Sequence, residues 1–157
     1  MKYLLYREQQ LNCELQTAWD FFTSPMNLAK ITPKDMAFTV LTNNNNKKIF
    51  EGMIIDYTVS PLLGIPLKWK TRITEVIPHK SFTDFQEKGP YKLWNHHHEF
   101  IANEKGVLMK DKVDYELPFG VLGDLVHRLF VKKKIEKIFN YRYHILEELF
   151  NSKKKIK

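Results

Sequence analysis

Residues Phe82–Gly120, FTDFQEKGPYKLWNHHHEFIANEKGVLMKDKVDYELPFG, decide how this chain folds. They read as three antiparallel strands joined by the turns EKGP and NEKG and stopped by Pro118-Phe119-Gly120. In the last strand Met109, Asp111, Val113, Tyr115 and Leu117 alternate with Lys110, Lys112, Asp114 and Glu116, the period of a half-buried strand. The charged set faces water, so Asp111 points inward with the apolar set. A carboxylate there is costly unless it is paired or hydrogen-bonded.

The preceding strand offers partners. From Leu93 to Ile101 one face carries Trp94, His96, His98 and Phe100, and the other carries His97 between Asn95 and Glu99. A Glu104-Lys105 tip sets His98 opposite Asp111; a Lys105-Gly106 tip sets Phe100 there and leaves His98 diagonal. Both registers keep the same faces, because a two-residue slip preserves side-chain direction. The inner surface therefore combines Trp94, His96, His98, Asp111 and Tyr115. Aromatic walls with a few polar groups describe a ligand pocket, and equally an aromatic core with one satisfied polar pair.

Asp84 and Gln86 share a face with Phe82. They join this inner surface if the turn through Gly89 is odd in length and face solvent if it is even. On the neighbouring segment Leu67–Ile77, Trp69, Thr71 and Ile73 alternate with Lys68, Lys70 and Arg72, and the phase breaks near Val76, where a bulge fits. Ile49–Val59 reads as a strand with Ile55, Tyr57 and Val59 on one face, and Met36–Thr42 as another. Between them Asn43–Lys48 is a polar turn, and Pro61–Pro66 (PLLGIP) is an apolar loop.

Toward the N-terminus, Lys2–Leu11 reads as a strand and Glu14–Thr23 as a helix, with Leu15, Ala18, Trp19 and Phe22 at helical spacing. Ser24 and Pro25 start a second short helix through Ile31 that Thr32-Pro33 ends. The segment Val121–Phe150 is helical in pattern but changes face. Val131, Ile135, Ile138, Ile145 and Leu149 share one side, flanked by Phe139 and Leu146, whereas Leu122, Leu125, Val126 and Leu129 lie on the opposite one. One straight helix cannot bury both against one sheet, so a bend is expected between Arg128 and Lys133. The long arm of ~20 residues spans ~30 Å, which matches strands of ~10 residues at ~33 Å.

Composition sets the outer limits. The 157 residues suit one domain over 1–157, ending in a basic tail, 152–157. The single Cys13 rules out an internal disulfide and fits a reducing, cytoplasmic setting. No leader or membrane span is evident. The net charge of +7 sits largely in Lys132–Lys134 and Lys153–Lys157, which read as solvated surface. Without a recognition motif, and with the aromatics facing inward, nucleic-acid binding is not expected. Weak contact with an anionic membrane surface is in keeping with the charge of a carrier of apolar ligands.

The order of strand, two short helices, six strands and a long helix resembles the helix-grip fold of the START-like (SRPBCC) superfamily, which holds birch-pollen-allergen-like proteins, polyketide cyclases and coenzyme-Q-binding proteins. The likeness rests on Trp19-Asp20-Phe21-Phe22 with Pro25, on Gly52 with Tyr57, and on Trp69 with Thr71. It continues through Phe82, Asp84 and Gln86, Gly89-Pro90-Tyr91 with Trp94, His96 and His98, and Asp111 with Tyr115. It ends with Leu117-Pro118-Phe119-Gly120, Gly123 and Phe139 with Tyr141-Arg142. It implies an α+β fold, a curved antiparallel sheet of about seven strands wrapped around a long, bent C-terminal helix. It also favours the inner placement of Asp84 and Gln86.

The expected ligand is a small, mostly apolar molecule of the lipid, quinone or polyketide-like kind, held by Tyr57, Trp69, Thr71, Asp84, Gln86, Trp94, His96, His98, Asp111 and Tyr115. A carrier or sensor is preferred. The alternatives are a cyclase or dehydratase with His98 as base and Asp111 as orienter, and a partner-binding regulator of cell division, as some relatives are labelled. No cofactor is assigned. His96 and His98 with Asp84 or Asp111 contain the residue types of a two-histidine, one-carboxylate metal set, but His97 points away and no spacing fixes ligand distances, so no metal is assigned either.

Overall fold

In the computed structural model, which describes residues 1–42, 48–60 and 65–152, seven strands form one antiparallel sheet: β1 (Lys2–Leu11), β2 (Thr39–Val40), β3 (Ile54–Val59), β4 (Leu67–Ile77), β5 (Ser81–Lys88), β6 (Leu93–Asn103) and β7 (Gly106–Glu116). Their spatial order is β1-β7-β6-β5-β4-β3-β2. The first strand thus lies beside the last, with Lys2 opposite Glu116 and Leu11 opposite Val107. Helices α1 (Leu15–Phe22) and α2 (Pro25–Leu28) carry the chain from that edge toward the other. The expected turn and tail at Asn43–Lys47 and Lys153–Lys157, and Pro61–Gly64 of the apolar loop, lie outside the described residues.

The β6–β7 hairpin turns at Glu104-Lys105, because Asn103 pairs with Gly106, His98 with Asp111 and Trp94 with Tyr115. The Asn103 side chain accepts a hydrogen bond from the Lys105 backbone N–H at 2.9 Å, closing the turn. Gly106 then adopts φ 116, and a Cβ there would lie 2.3 Å from the Leu11 carbonyl oxygen. Gly106→Ala should therefore cost about 1–3 kcal/mol from overlap, with backbone strain of ~1–3 kcal/mol added. Urea denaturation reads this directly; a variant as stable as the parent would contradict the close seating of β1 on this turn.

Two expected strands shorten. Met36–Thr42 gives only Thr39–Val40, because Lys34–Met36 forms a 3-10 turn and Ala37 takes a left-handed φ of 43. Ile49–Val59 begins at Ile54, because Gly52 at φ 86 turns the chain while its N–H donates to the Ile73 carbonyl at 2.7 Å. In β4 the register shifts between Ile73 and Glu75, just before Val76. The second helix stops at Leu28 instead of Ile31; the Thr32 hydroxyl then donates to the Leu28 carbonyl at 2.7 Å. Ser24 occupies its N-cap position but makes no side-chain cap bond.

At the C-terminus α3 (Gly120–Val126) passes through a π turn (His127–Val131) into α4 (Lys132–Leu146), and a second π turn covers Glu147–Asn151. Where the bend was expected, the helix runs on through a π turn, an extra residue in the helical repeat that rotates the downstream turns about the axis. Gly123, His127, Ile135, Phe139, Arg142 and Leu146 form the buried stripe, while Ile138 and Ile145 are half-buried against the sheet and α1. Leu149, expected inside, is exposed; within the second π turn Phe150 takes the inner place against Phe21 and Phe22. The opposite face of the short arm is not buried as expected either: Leu122, Leu125, Val126 and Leu129 stay exposed.

The buried apolar residues fall into three separate clusters. One centres on Trp19, Phe82, Phe100 and Leu146, one on Ile55, Tyr57 and Ile73, and one on Val113, Tyr115, Ile135 and Phe139. What separates them is a cavity.

Candidate functional site

The cavity lies between the concave face of the sheet and the C-terminal helix, and its volume is about 540 Å³. Left dry, a void of that size would cost ~13 kcal/mol at ~24 cal/mol per Å³, comparable to the ~5–15 kcal/mol stability of a whole domain. Water or a ligand must therefore occupy it, and polar groups on its wall allow either.

Those groups come from adjacent strands. Phe82 pairs with His98 and Asp84 with His96 across β5 and β6, so the turn through Gly89 places Asp84 inside. His98 and Asp111 pair across β6 and β7. The result is a closed ring of contacts. Asp84 Oδ2 lies 3.0 Å from His98 Nε2 and 3.6 Å from His96 Nδ1. Asp111 Oδ1 lies 2.9 Å from both His96 Nε2 and His98 Nδ1. The His96 contact is a hydrogen bond; the His98 Nδ1–H is not aimed along its contact, which is electrostatic only. Arg142 from α4 closes the group, Nη1 3.9 Å from Asp111 Oδ2 and its guanidinium 4.8 Å from the Phe139 ring centre.

Charge balance explains why this cluster is tolerated. Burial pushes the His98 ring down, but contacts with Asp111 and Asp84 outweigh it and raise its pKa. Burial and then the neighbouring His98 charge leave His96 lowered. Burial would lift both carboxyls, yet His96 and His98 hold Asp84 below its ordinary value and Asp111 well below it. Two carboxylates thus face Arg142 and the ring of His98, whose charged form they favour. Stability follows the sign of each shift. The His98 contribution is complete below its unfolded value of ~6.5 and is lost as pH rises through its raised one. That of His96 is complete above ~6.5 and is lost as pH falls toward its lowered one. The carboxylates weaken only below ~4. Thermal melts across the neutral range should therefore peak near pH ~6.5; a melting temperature that climbs steadily to pH 8 would contradict these assignments.

Of the ten residues expected to hold ligand, Tyr57, Trp69, Thr71, Asp84, Trp94, His96 and His98 line the cavity, and Gln86, Asp111 and Tyr115 do not. The Gln86 amide is spent on the β5–β6 turn, donating to the Tyr91 carbonyl at 2.7 Å and accepting from its N–H at 3.3 Å. Asp111 stands behind the histidines. The Tyr115 hydroxyl, its pKa pushed up to about 12 by burial, meets His127 Nε2 at 2.8 Å and so ties β7 to the helix. The His127 ring also stacks on Tyr3. Thr71 and Tyr57 share a hydrogen bond of 2.9 Å. Among the described residues Trp69 Nε1 is buried with no hydrogen-bond partner. Burial raises the Cys13 thiol pKa, which makes it a poor nucleophile.

Arg142 is the residue that sequence reasoning undervalued. It lies three positions after Phe139 on the buried stripe, a charge on an apolar face, the same signal that marked Asp111. Phe139 and Ile138 also line the cavity.

Comparison with known proteins agrees with this architecture. A search of curated proteins finds no match. Among solved structures, a protein from Chromobacterium violaceum superposes with a TM-score of 0.69 at 12% identity, covering 96% of this chain and 99% of that one. Major latex-like protein 151 from Panax ginseng gives 0.68 at 13% identity over 96% and 98%. A START superfamily protein from Mycobacterium smegmatis gives 0.67 at 12% over 93% and 98%. At such identities the likeness establishes the fold alone. No helix among the described residues is long and apolar enough to cross a membrane. The sequence model for polyketide cyclase / dehydrase and lipid transport proteins matches residues 11–139, most of the chain, and the protein belongs to that family.

Proposed function

We propose that this protein binds one small, mostly apolar molecule with a polar end, as a carrier or sensor. The observation that carries the reading is a cavity of about 540 Å³ with aromatic and aliphatic walls and one concentrated polar group, Asp84 with His96 and His98. Apolar walls supply the burial, while Asp84 and the histidines orient the polar end. A lipid, quinone or polyketide-like skeleton has that composition.

The protonation pattern favours binding over the cyclase or dehydratase alternative. With a carboxylate beside each ring nitrogen favouring its charged form, His98 is better suited to donating a proton than to acting as a base. Native mass spectrometry of the purified chain, with extraction of any retained molecule, tests the assignment. A retained apolar compound that incubation leaves unchanged supports a carrier. Turnover of that compound, lost in His98→Ala, supports the enzyme. If nothing is retained and no amphiphile in a broad panel raises the melting temperature, the reading fails.

The short arm suggests where loading occurs. Leu122, Val126 and Phe130 line the cavity and are exposed, with Phe119, Val121, Leu125 and Leu129 exposed beside them. Arg128, Lys132 and Lys133 stand exposed next to this apolar face. Apolar side chains with a basic flank suit a weak, transient contact with an anionic bilayer. Vesicles containing phosphatidylglycerol should bind the protein more tightly than phosphatidylcholine vesicles, and Val121→Asp should remove the difference.

A further inference from the structure

We propose that Asp84, His96 and His98 also form a site for one divalent first-row transition-metal ion, with its open coordination positions facing the cavity. One donor atom from each residue lies within 4.8 Å of the others. The two spans from Asp84 Oδ2, 3.0 Å to His98 Nε2 and 3.6 Å to His96 Nδ1, bracket the edge of ~3.4 Å in a tetrahedron built on metal bonds of ~2.1 Å. An ion can seat there with small side-chain adjustments. All three residues stand on paired strands, Asp84 directly opposite His96, so the set is held by the sheet and not by a loop.

The stronger argument lies behind the histidines. A metal-bound imidazole commonly turns its second ring nitrogen toward a carboxylate, which fixes the tautomer and the ring orientation. Asp111 Oδ1 is 2.9 Å from the rear nitrogen of each ring, His96 Nε2 and His98 Nδ1. Protons placed on those nitrogens leave the lone pairs of His96 Nδ1 and His98 Nε2 directed toward Asp84. Arg142 in turn faces the other oxygen of Asp111. A single carboxylate thus holds one ligand ring, His96, by a hydrogen bond and faces the other, His98, through charge alone. His97, on the outer face of β6, takes no part; its Nδ1 is bound to the Thr83 hydroxyl at 2.8 Å.

Two imidazoles and one carboxylate suit Zn²⁺ or Fe²⁺ far better than Mg²⁺ or Ca²⁺. With neutral imidazoles as ligands, the two carboxylates, Arg142 and the dication sum to a single positive charge. The open positions would accept water or the anionic oxygen of a carboxylate, phenolate or enolate, which restores neutrality. The polar end preferred by the metal-loaded protein is therefore acidic.

The test uses the full chain, stripped with a chelator and titrated with Zn²⁺ by calorimetry and with Co²⁺ by visible absorption. The expected result is one equivalent per chain, an ordered low-symmetry Co²⁺ spectrum and a higher melting temperature in Zn²⁺. His97→Ala should bind as the parent does. Asp111→Asn should lose ~10–100-fold in affinity, and His96→Gln or Asp84→Asn should lose stoichiometric binding. Should those variants not fold, imidazole nitrogen NMR of the parent decides: Zn²⁺ should shift His96 Nδ1 and His98 Nε2. No stoichiometric binding, or shifts confined to His79, His97 or His144, would overturn the site. Apolar ligand retention by the metal-free protein is a separate readout and can succeed while this one fails.

Discussion

Asp111→Asn should destabilise the protein by about 3–5 kcal/mol, the cost of leaving a buried charge without its partner. The asparagine oxygen can still accept a hydrogen bond from His96, but it cannot neutralise His98 and Arg142, which approach the carboxylate to 2.9 and 3.9 Å. Among the described residues, Asp84 would then be the anion left facing His98 and Arg142. The His98 pKa should fall toward its ordinary value, because one of the two groups that raise it is gone. Urea denaturation and an NMR titration of the histidine rings read both effects. A loss under ~1 kcal/mol together with an unmoved His98 titration would mean that the ring of contacts is not a balanced charge cluster.

Phe139→Ala should cost about 3–5 kcal/mol. The ring is 4% exposed, packs edge-on to His96 and lies under the Arg142 guanidinium, so its loss both opens the third apolar cluster and unseats the cation. Leu149→Ala, ten positions further along the same helical segment, should stay within about 0.5 kcal/mol, as surface changes usually do. The pair tests which face grips the sheet. Equal costs would place Leu149 inside, where uniform helical spacing would have it.

That contrast also marks the limit of reading this chain from its sequence. The β6–β7 hairpin was legible in detail, because period-two alternation sorts the faces and a short turn leaves few registers. The inward Asp111 was legible for the same reason, since a charge out of phase has no other explanation on a strand. Helical extrapolation worked from Ile135 to Leu146 and failed at Leu149, because a π turn inserts a residue that no composition signal announces. The exposed short arm was missed because apolar side chains facing a cavity mouth look, in sequence, like any buried face. Gln86 shared the inner phase, yet its amide is consumed by the Tyr91 backbone. Tyr115 likewise spends its hydroxyl on His127. Such outcomes depend on where a distant loop or helix settles, and only three-dimensional packing decides them.

Ligand binding as proposed requires the cavity between sheet and helix, and its most direct measurement is ligand stoichiometry before and after that space is filled. Val131 and Ile138 both line the cavity from the helix side. A Val131→Trp, Ile138→Trp double variant should occupy much of it without touching Asp84, His96 or His98. Native mass spectrometry with a single-chain amphiphile should find one molecule per parent chain and none on the folded double variant. Unchanged one-to-one retention by the filled protein would place the ligand elsewhere and contradict the central claim.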